Sequence, residues 1–367
     1  MRPLRKRSIC QSREGSSQSS ESILTSPIRV ALYPTVQGDN PFLRILTTEM
    51  EFQGATIIEW DDTRGGQSFD IAWLNWFENS WDRLGRKPST RRAKRQDRTR
   101  KLARLEELRS AGTKVVWMAH NLQPHTFQGS RARWEKRTSE LFGMFDGTIH
   151  LTEASRNADE FARLLDRPSL VVRHPNYELV NAEQHSDRAG DVERLLMLGA
   201  VTKRKNYMES IDLALSIPGI EMIIAGKVLD SKLGVRIRRR AEASENRLRV
   251  LDRYLSDDEI HSLFDGRTAA LINQPGALNS GVMYLALSRG APIICRASPT
   301  NNELSRLFGR EWVRVSSLDR DSLLADIARP VPQTLPNLDR CNPRVVSREI
   351  LEFFEALRSR DSRADAS

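Results

Sequence analysis

From Ile28 onward, short apolar runs alternate with longer stretches whose apolar residues recur at helical spacing. Arg29 to Tyr33 reads as a strand, and a helix is predicted from Pro41 to Gln53, after the turn Gly38-Asp39-Asn40-Pro41 and before Gly54. Ala55 to Trp60 and Asp70 to Leu74 are further strands, the second running on into Asn75-Trp76-Phe77-Glu78. A basic helical region follows. The apolar run Lys114 to Met118 then reads as a buried strand that leads into Ala119-His120-Asn121. Phe145 to His150 is a strand entering a helix through Thr152-Glu153-Ala154-Ser155, and Ser169 to Arg173 is extended, ahead of His174-Pro175-Asn176. Strands alternating with helices predict βαβ units and a parallel sheet.

The run Asn181 to Asp191 is polar and without apolar period, and is taken as an interdomain linker. The pattern then restarts. Strands are predicted at Arg194 to Leu198, Glu221 to Ala225, Leu248 to Leu251, Ala269 to Ile272 and Pro292 to Cys295. Helices are predicted over Asn206 to Ser216 and Asn279 to Ser288. The four prolines from Pro330 to Pro343 exclude a regular element there. Ile350, Leu351, Phe353, Phe354 and Leu357 mark an amphipathic last helix. The expected fold class is α/β, with two doubly wound parallel-sheet domains. Their expected bounds are 28–180 and 192–330, with a tail over 1–27, a linker over 181–191, and a Pro-rich segment plus helix over 331–361.

Composition narrows the function. A chain of 367 residues is long for one core, which agrees with two domains. Its net charge of +9 and pI near 9.7 favour a polyanionic partner. Cys10, Cys295 and Cys341 are far apart and have neither disulfide-framework nor metal spacing, so a cytoplasmic setting is expected. No apolar run approaches the roughly 18 residues that span a bilayer. Met1 to Pro27 is rich in Arg and Ser and lacks the apolar centre of a signal peptide.

In open α/β sheets, ligands sit beyond the carboxyl ends of the strands. His120 therefore stands where a substrate would be. Glu78, His125 and Asp146 are candidates for a general base, and Trp76 or Phe77 for stacking on a bound ring. In the second domain three loops should converge. The first runs from Gly199 to Asn206 and carries Lys203, Arg204 and Lys205. The second is Gly226-Lys227. The third is Pro275 to Val282, where Asn279, Ser280 and Gly281 open a helix. Cations on two loops and a helix N-terminus on the third suit a diphosphate. Capping by Asn279 or Ser280 is the simpler alternative for the third loop. Asp319-Arg320-Asp321 has the form of a D-x-D metal motif, but its place before Ser322-Leu323-Leu324 favours helix capping. No other metal cluster is apparent, and neither G-x-G-x-x-G nor a Walker A loop is present.

With these motifs the chain resembles the GT-B glycosyltransferases, specifically the family 4-like bacterial enzymes of exopolysaccharide synthesis, over about residues 28 to 330. The matching residues are His120, the Gly199 and Lys205 loop, and Asn279 to Pro292. The resemblance implies a hexosyltransferase that needs no cofactor or metal. The donor would be a nucleotide-sugar, with Lys205 on its diphosphate and His120 facing its sugar. The acceptor would be lipid-linked or an oligosaccharide. It also implies a last helix that returns to the first domain. Ala277 and Leu285 stand where the family has two glutamates, and Ala200 where it has an arginine. A sugar-nucleotide epimerase on the same fold and a non-catalytic basic binding protein remain as alternatives.

Arg83 to Arg104 holds 11 Lys and Arg against one acid, Asp97, a balance of +10. Leu102, Leu105 and Leu108 give its end an apolar helical edge. This suits an anionic membrane surface better than nucleic acid, with a solvated helix face as the plain alternative, and the resemblance implies that the surface is the inner face of the plasma membrane. Changing Arg91, Arg92, Lys94 and Arg95 to Gln should abolish co-sedimentation with anionic vesicles. Wild-type binding should fade as the Debye length falls from about 10 Å at 0.1 M salt to about 3 Å at 1 M. Equal binding by both proteins would remove the segment from this role, and tighter binding to duplex DNA would favour nucleic acid.

Overall fold

A computed structural model describes residues 26–36, 41–63, 66–78, 88–121, 139, 141–164, 166–275 and 278–364. Twelve strands form two six-stranded sheets. The first holds β1 (Arg29–Tyr33), β2 (Thr56–Glu59), β3 (Ile71–Asn75), β4 (Lys114–Met118), β5 (Gly147–His150) and β6 (Ser169–Val171), in the order β2-β1-β3-β4-β5-β6. The second holds β7 (Arg194–Leu198), β8 (Glu221–Ala225), β9 (Leu248–Leu251), β10 (Thr268–Ile272), β11 (Ile293–Arg296) and β12 (Val313–Ser316), in the order β12-β11-β10-β7-β8-β9. Every pairing is parallel. Strands such as Ile71-Ala72-Trp73-Leu74-Asn75 are buried throughout, as expected where helices cover both faces.

Among the described residues the α-helices of the first half are α1 (Pro41–Phe52), α2 (Pro88–Ser110) and the short α3 (Glu153–Arg156). α4 (Ala182–Arg188) lies between the sheets. The second sheet carries α5 (Tyr207–Leu215), α6 (Ser231–Glu242), α7 (Asp257–Ser262), α8 (Gly281–Ser288), α9 (Pro299–Phe308) and α10 (Arg320–Ile327). The last helix, α11 (Pro343–Ala364), returns to the first sheet. There Val346, Ile350, Phe354 and Leu357 join a core with Leu46, Trp73 and Ile149. Leu357 and Phe353 press against Gly147, where a Cβ would lie 2.9 Å from Leu357 Cδ1.

Several expectations change. The polar run at 181–191 contains helix α4, not plain linker, because buried His185 anchors it with a 2.7 Å contact from Nε2 to the Pro332 carbonyl. Helix α8 begins at Gly281 and leaves Asn279 and Ser280 outside it. Leu105 and Leu108 of α2 are buried in the core of the first half, so this apolar edge is not available to a membrane. Arg92, Arg95 and Arg100 stay exposed, which leaves charge alone for a surface interaction. Asp146 precedes β5 and accepts the Val115 N–H at 2.8 Å. It therefore lies at the amino edge of the sheet, opposite to His120, and is not a base candidate. Asp319 caps α10 through the Ser322 N–H, as the capping alternative expected. His125 and Ala277 lie outside the described residues.

The two halves meet along a polar seam. Glu303 of α9 is buried and accepts the N–H groups of Glu153 (3.0 Å) and Ala154 (2.8 Å) at the start of α3, and Arg173 Nη1 at 3.0 Å. Asn279 Nδ2 reaches the carbonyls of Ala119 (3.4 Å) and His120 (3.3 Å). Glu303→Ala would strand a largely buried guanidinium and two helix-start amides, at a cost of about 3 kcal/mol. Chemical denaturation should show that loss, and a smaller one for Glu303→Gln, which keeps an acceptor oxygen. A loss under about 0.5 kcal/mol for Glu303→Ala, the range of an ordinary surface change, would contradict this account of the seam.

Candidate active site

The first wall of the cleft is built at the ends of β3 and β4. Asn75 Nδ2 donates to the Tyr33 carbonyl at 3.3 Å, which leaves Oδ1 as an acceptor. His120 Nε2 lies 2.9 Å from that oxygen. The proton of a neutral His120 is thus on Nε2, and Nδ1 carries the lone pair. Trp76 turns the chain in the left-handed region, at φ 48°, an unusual conformation for a bulky residue. The turn lays its indole on the His120 ring, 4.1 Å between centroids and 17° from parallel. Phe42 meets the same imidazole edge-on at 5.0 Å. Burial, and then the neighbouring His174, push the His120 pKa down to about 3, so the ring is neutral at ordinary pH.

Glu78 is fully buried. Its carboxyl oxygens accept from Trp117 Nε1 (3.3 Å) and Asn121 Nδ2 (3.2 Å). Desolvation raises its pKa to about 7 despite those bonds. Among the described residues it is enclosed behind the strand end, in contact with Trp117 and Asn121. Phe77 is likewise in the core, so of the two aromatics only Trp76 borders the cleft.

The second wall lies between β7 and β10, where the strand order of the second sheet reverses. That switch point is the expected ligand position in a doubly wound sheet. A recess there is lined by Leu198, Lys205, Leu271, Asn273, Ser280 and Val282, among others. Lys205 Nζ donates to the Leu198 carbonyl at 3.0 Å and lies beside Gly199. Burial, and then adjacent Arg204, lower its pKa to about 8. Gly226 is required by close packing, since a Cβ there would lie 2.4 Å from the Gly199 carbonyl oxygen.

The other cations of these loops turn away or are engaged. Lys203 is exposed and pairs with Asp230 at 3.4 Å. Lys227 pairs with Asp252 at 3.5 Å, and Asp252 also holds Arg238 and the Val228 N–H. Arg204 is half-buried beside Lys205, with its pKa lowered by burial. Ser280 occupies the N-cap of α8 without a side-chain capping bond, and Asn279 is turned to the first half. The capping alternative therefore fails, and the first turn of α8 faces the recess with no side-chain cap.

Of the predicted residues, Gly199, Lys205, Ser280 and Gly281 gather around the second wall. Asn279 ties it to His120. Lys227 belongs to a separate ion-pair group. Asn75 and His174 were not singled out from sequence. The first gave no signal, being one residue inside a strand end. The second was visible as the His-Pro-Asn exit of β6, in a stretch noted only as extended.

No family model matches the chain, and no curated protein matches it. Solved structures do. The E. coli trehalose-6-phosphate synthase bound with UDP-2-fluoro glucose is similar at TM-score 0.56 and 10% identity, over 90% of this chain and 96% of that one. Anabaena HepE in complex with UDP-glucose gives TM-score 0.56 and 11% identity, over 91% and 99%. The sucrose-phosphate synthase of Thermosynechococcus elongatus gives 0.54 and 12%, over 93% and 98%. At these identities the likeness is one of fold. Two Rossmann-like parallel sheets facing a cleft, with the last helix crossing back, give this chain the GT-B architecture.

Proposed function

We propose that the protein is a glycosyltransferase that moves a hexose from a nucleotide-sugar to a lipid-linked or oligosaccharide acceptor. The observation that carries the reading is the pairing of the two walls. The uncapped start of α8 and the Lys205 ammonium border one recess at a switch point. Asn279, just ahead of α8, bonds the carbonyl of His120 across the cleft. A diphosphate at the first wall's partner would meet one cation and a positive helix end, both fixed in place before charge develops on the leaving group. Its sugar would then lie towards His120. The names of the neighbours agree, since two of them hold UDP-glucose or its 2-fluoro analogue.

In this reading Gly199 and Gly226 give the backbone room, and Arg204 adds long-range positive potential. Lys227 orders the loop at the end of β9 through Asp252. His120 contacts the sugar, and burial keeps its ring neutral there. Glu78 orients Asn121. The exposed cations of α2 hold the enzyme near an anionic membrane surface by charge. The role of His125 as a base is untouched by these arguments. A thermal-shift screen against nucleoside diphosphates and their sugars tests the reading, because a ligand of the native state raises its melting temperature. Release of nucleoside diphosphate only when acceptor is present then separates transfer from epimerisation and from simple binding. A panel that leaves the melting temperature unmoved would sink the proposal.

Lys205→Ala should weaken nucleoside diphosphate binding by about 2 kcal/mol, the scale of a charge-assisted hydrogen bond. Calorimetry showing unchanged affinity would remove Lys205 from the site. Glu78→Gln gives a pH signature. The folded carboxyl keeps its proton up to about 7, against 4.5 ordinarily, so wild type loses stability as pH rises between those values. The Gln variant does not titrate. Its melting temperature relative to wild type should therefore be higher at pH 8 than at pH 4, while turnover is largely kept. A pH-independent difference, or complete loss of turnover, would contradict the orienting role.

A further inference from the structure

His174 stands at the exit of β6, in the seam between the two halves, and is 5% exposed. Its ring is clamped, stacked on Tyr284 at 4.6 Å and 14° and set edge-on to Phe42 at 4.9 Å. Nδ1 lies 2.7 Å from the Pro175 carbonyl oxygen. A carbonyl only accepts, so Nδ1 carries the proton and Nε2 presents a lone pair. Among the described residues no group bonds to Nε2. It points at the first residue of α8, where a Cβ on Gly281 would lie 3.5 Å from it. The hydroxyl of Tyr177 converges on the same spot, 2.9 Å from that Cβ position, and makes no hydrogen bond among the described residues.

The chemistry of this gap is unlike that of the Lys205 side. Burial drives the His174 pKa down to about 4 and the Tyr177 pKa up to about 12, so both groups are uncharged at neutral pH. A phosphate oxygen would face a lone pair there. A hydroxyl satisfies both groups, donating to the imidazole and exchanging a hydrogen bond with the phenol. Gly281 leaves the room that any side chain would fill.

We propose that His174 and Tyr177 form a hydroxyl-recognition subsite for the hexose of the nucleotide-sugar. The proposal rests on the glycosyltransferase reading and adds residues and a hydrogen-bond polarity to it. His174 Nε2 accepts from one sugar hydroxyl, and Tyr177 Oη bonds the same or the adjacent one. The two buried histidines of the cleft then hold opposite tautomers, with the proton on Nε2 in His120 and on Nδ1 in His174. Each shows the substrate side a different free nitrogen.

The test compares affinity for a nucleotide-hexose with affinity for its own nucleoside diphosphate. The probes are UDP, GDP, ADP and dTDP and their glucose derivatives, titrated calorimetrically into the whole chain. Tyr177→Phe removes only the hydroxyl and keeps the ring. His174→Asn keeps a donor for the Pro175 carbonyl and removes the Nε2 acceptor. For the pair that wild type binds, each variant should weaken the nucleotide-glucose about tenfold and leave the diphosphate within twofold. Parallel loss of both ligands would mark a structural role and overturn the proposal, as would no loss of either. Wild type binding the two ligands equally would also overturn it, because the sugar would then have no site. Failure of wild type to bind any probe would instead defeat the glycosyltransferase reading beneath it.

Discussion

The structure depends on how the ends of its elements find partners. Helix starts leave N–H groups and strand ends leave carbonyls without bonds inside the element. Here each half supplies what the other lacks. The first amides of α3 take the Glu303 carboxylate from α9. The carbonyls of Ala119 and His120, just past β4, take the amide of Asn279. The chain between the sheets is tied in the same way, with the Tyr177 N–H on Ser288 Oγ (3.0 Å) and the Asn176 N–H on the Cys341 carbonyl (2.7 Å). Parallel strands bring the loops of each sheet to one edge, and these exchanges hold the two edges against each other.

That arrangement sets the electrostatics of the cleft. Sealing the seam buries His120 and His174 deeply enough to keep both neutral. The one cation of the conspicuous Lys-Arg-Lys run that lines the recess is Lys205, itself partly desolvated. With its pKa near 8 the lysine is still mostly protonated at neutral pH, and an anion arriving there would replace lost hydration and stabilise that charged form. The neutral imidazoles stay suited to hydroxyls. On the proposed reading the cleft divides into a side for phosphate and a side for sugar, by burial more than by the number of charges.

Much of this was legible in the sequence. Four- and five-residue apolar runs gave nearly every strand, because a strand buried on both faces has no polar positions to blur it. The apolar period at Ile350 to Leu357 gave the last helix, and the resemblance gave its return to the first half. Positions decided by tertiary contacts were harder. Helix α4 is held by one buried histidine within a polar run, which shows no helical period. The leucines of α2 suggest a membrane edge in the sequence, and only packing shows that Leu105 and Leu108 are core. Lys203 and Lys205 are alike in sequence, yet Asp230 takes the first and the Leu198 carbonyl the second. A histidine's tautomer depends on partners far along the chain, such as Asn75 for His120, and no local pattern records it.

On the proposed reading the switch point of the second sheet holds a nucleoside diphosphate, with the sugar turned to the other half. A crystal structure with a bound nucleoside diphosphate measures this most directly. The account predicts phosphate density within hydrogen-bond distance of Lys205 Nζ and of the first-turn N–H groups of α8. Ordered phosphates on the Lys227 and Asp252 group, on the arginines of α2, or anywhere else outside that recess would contradict it.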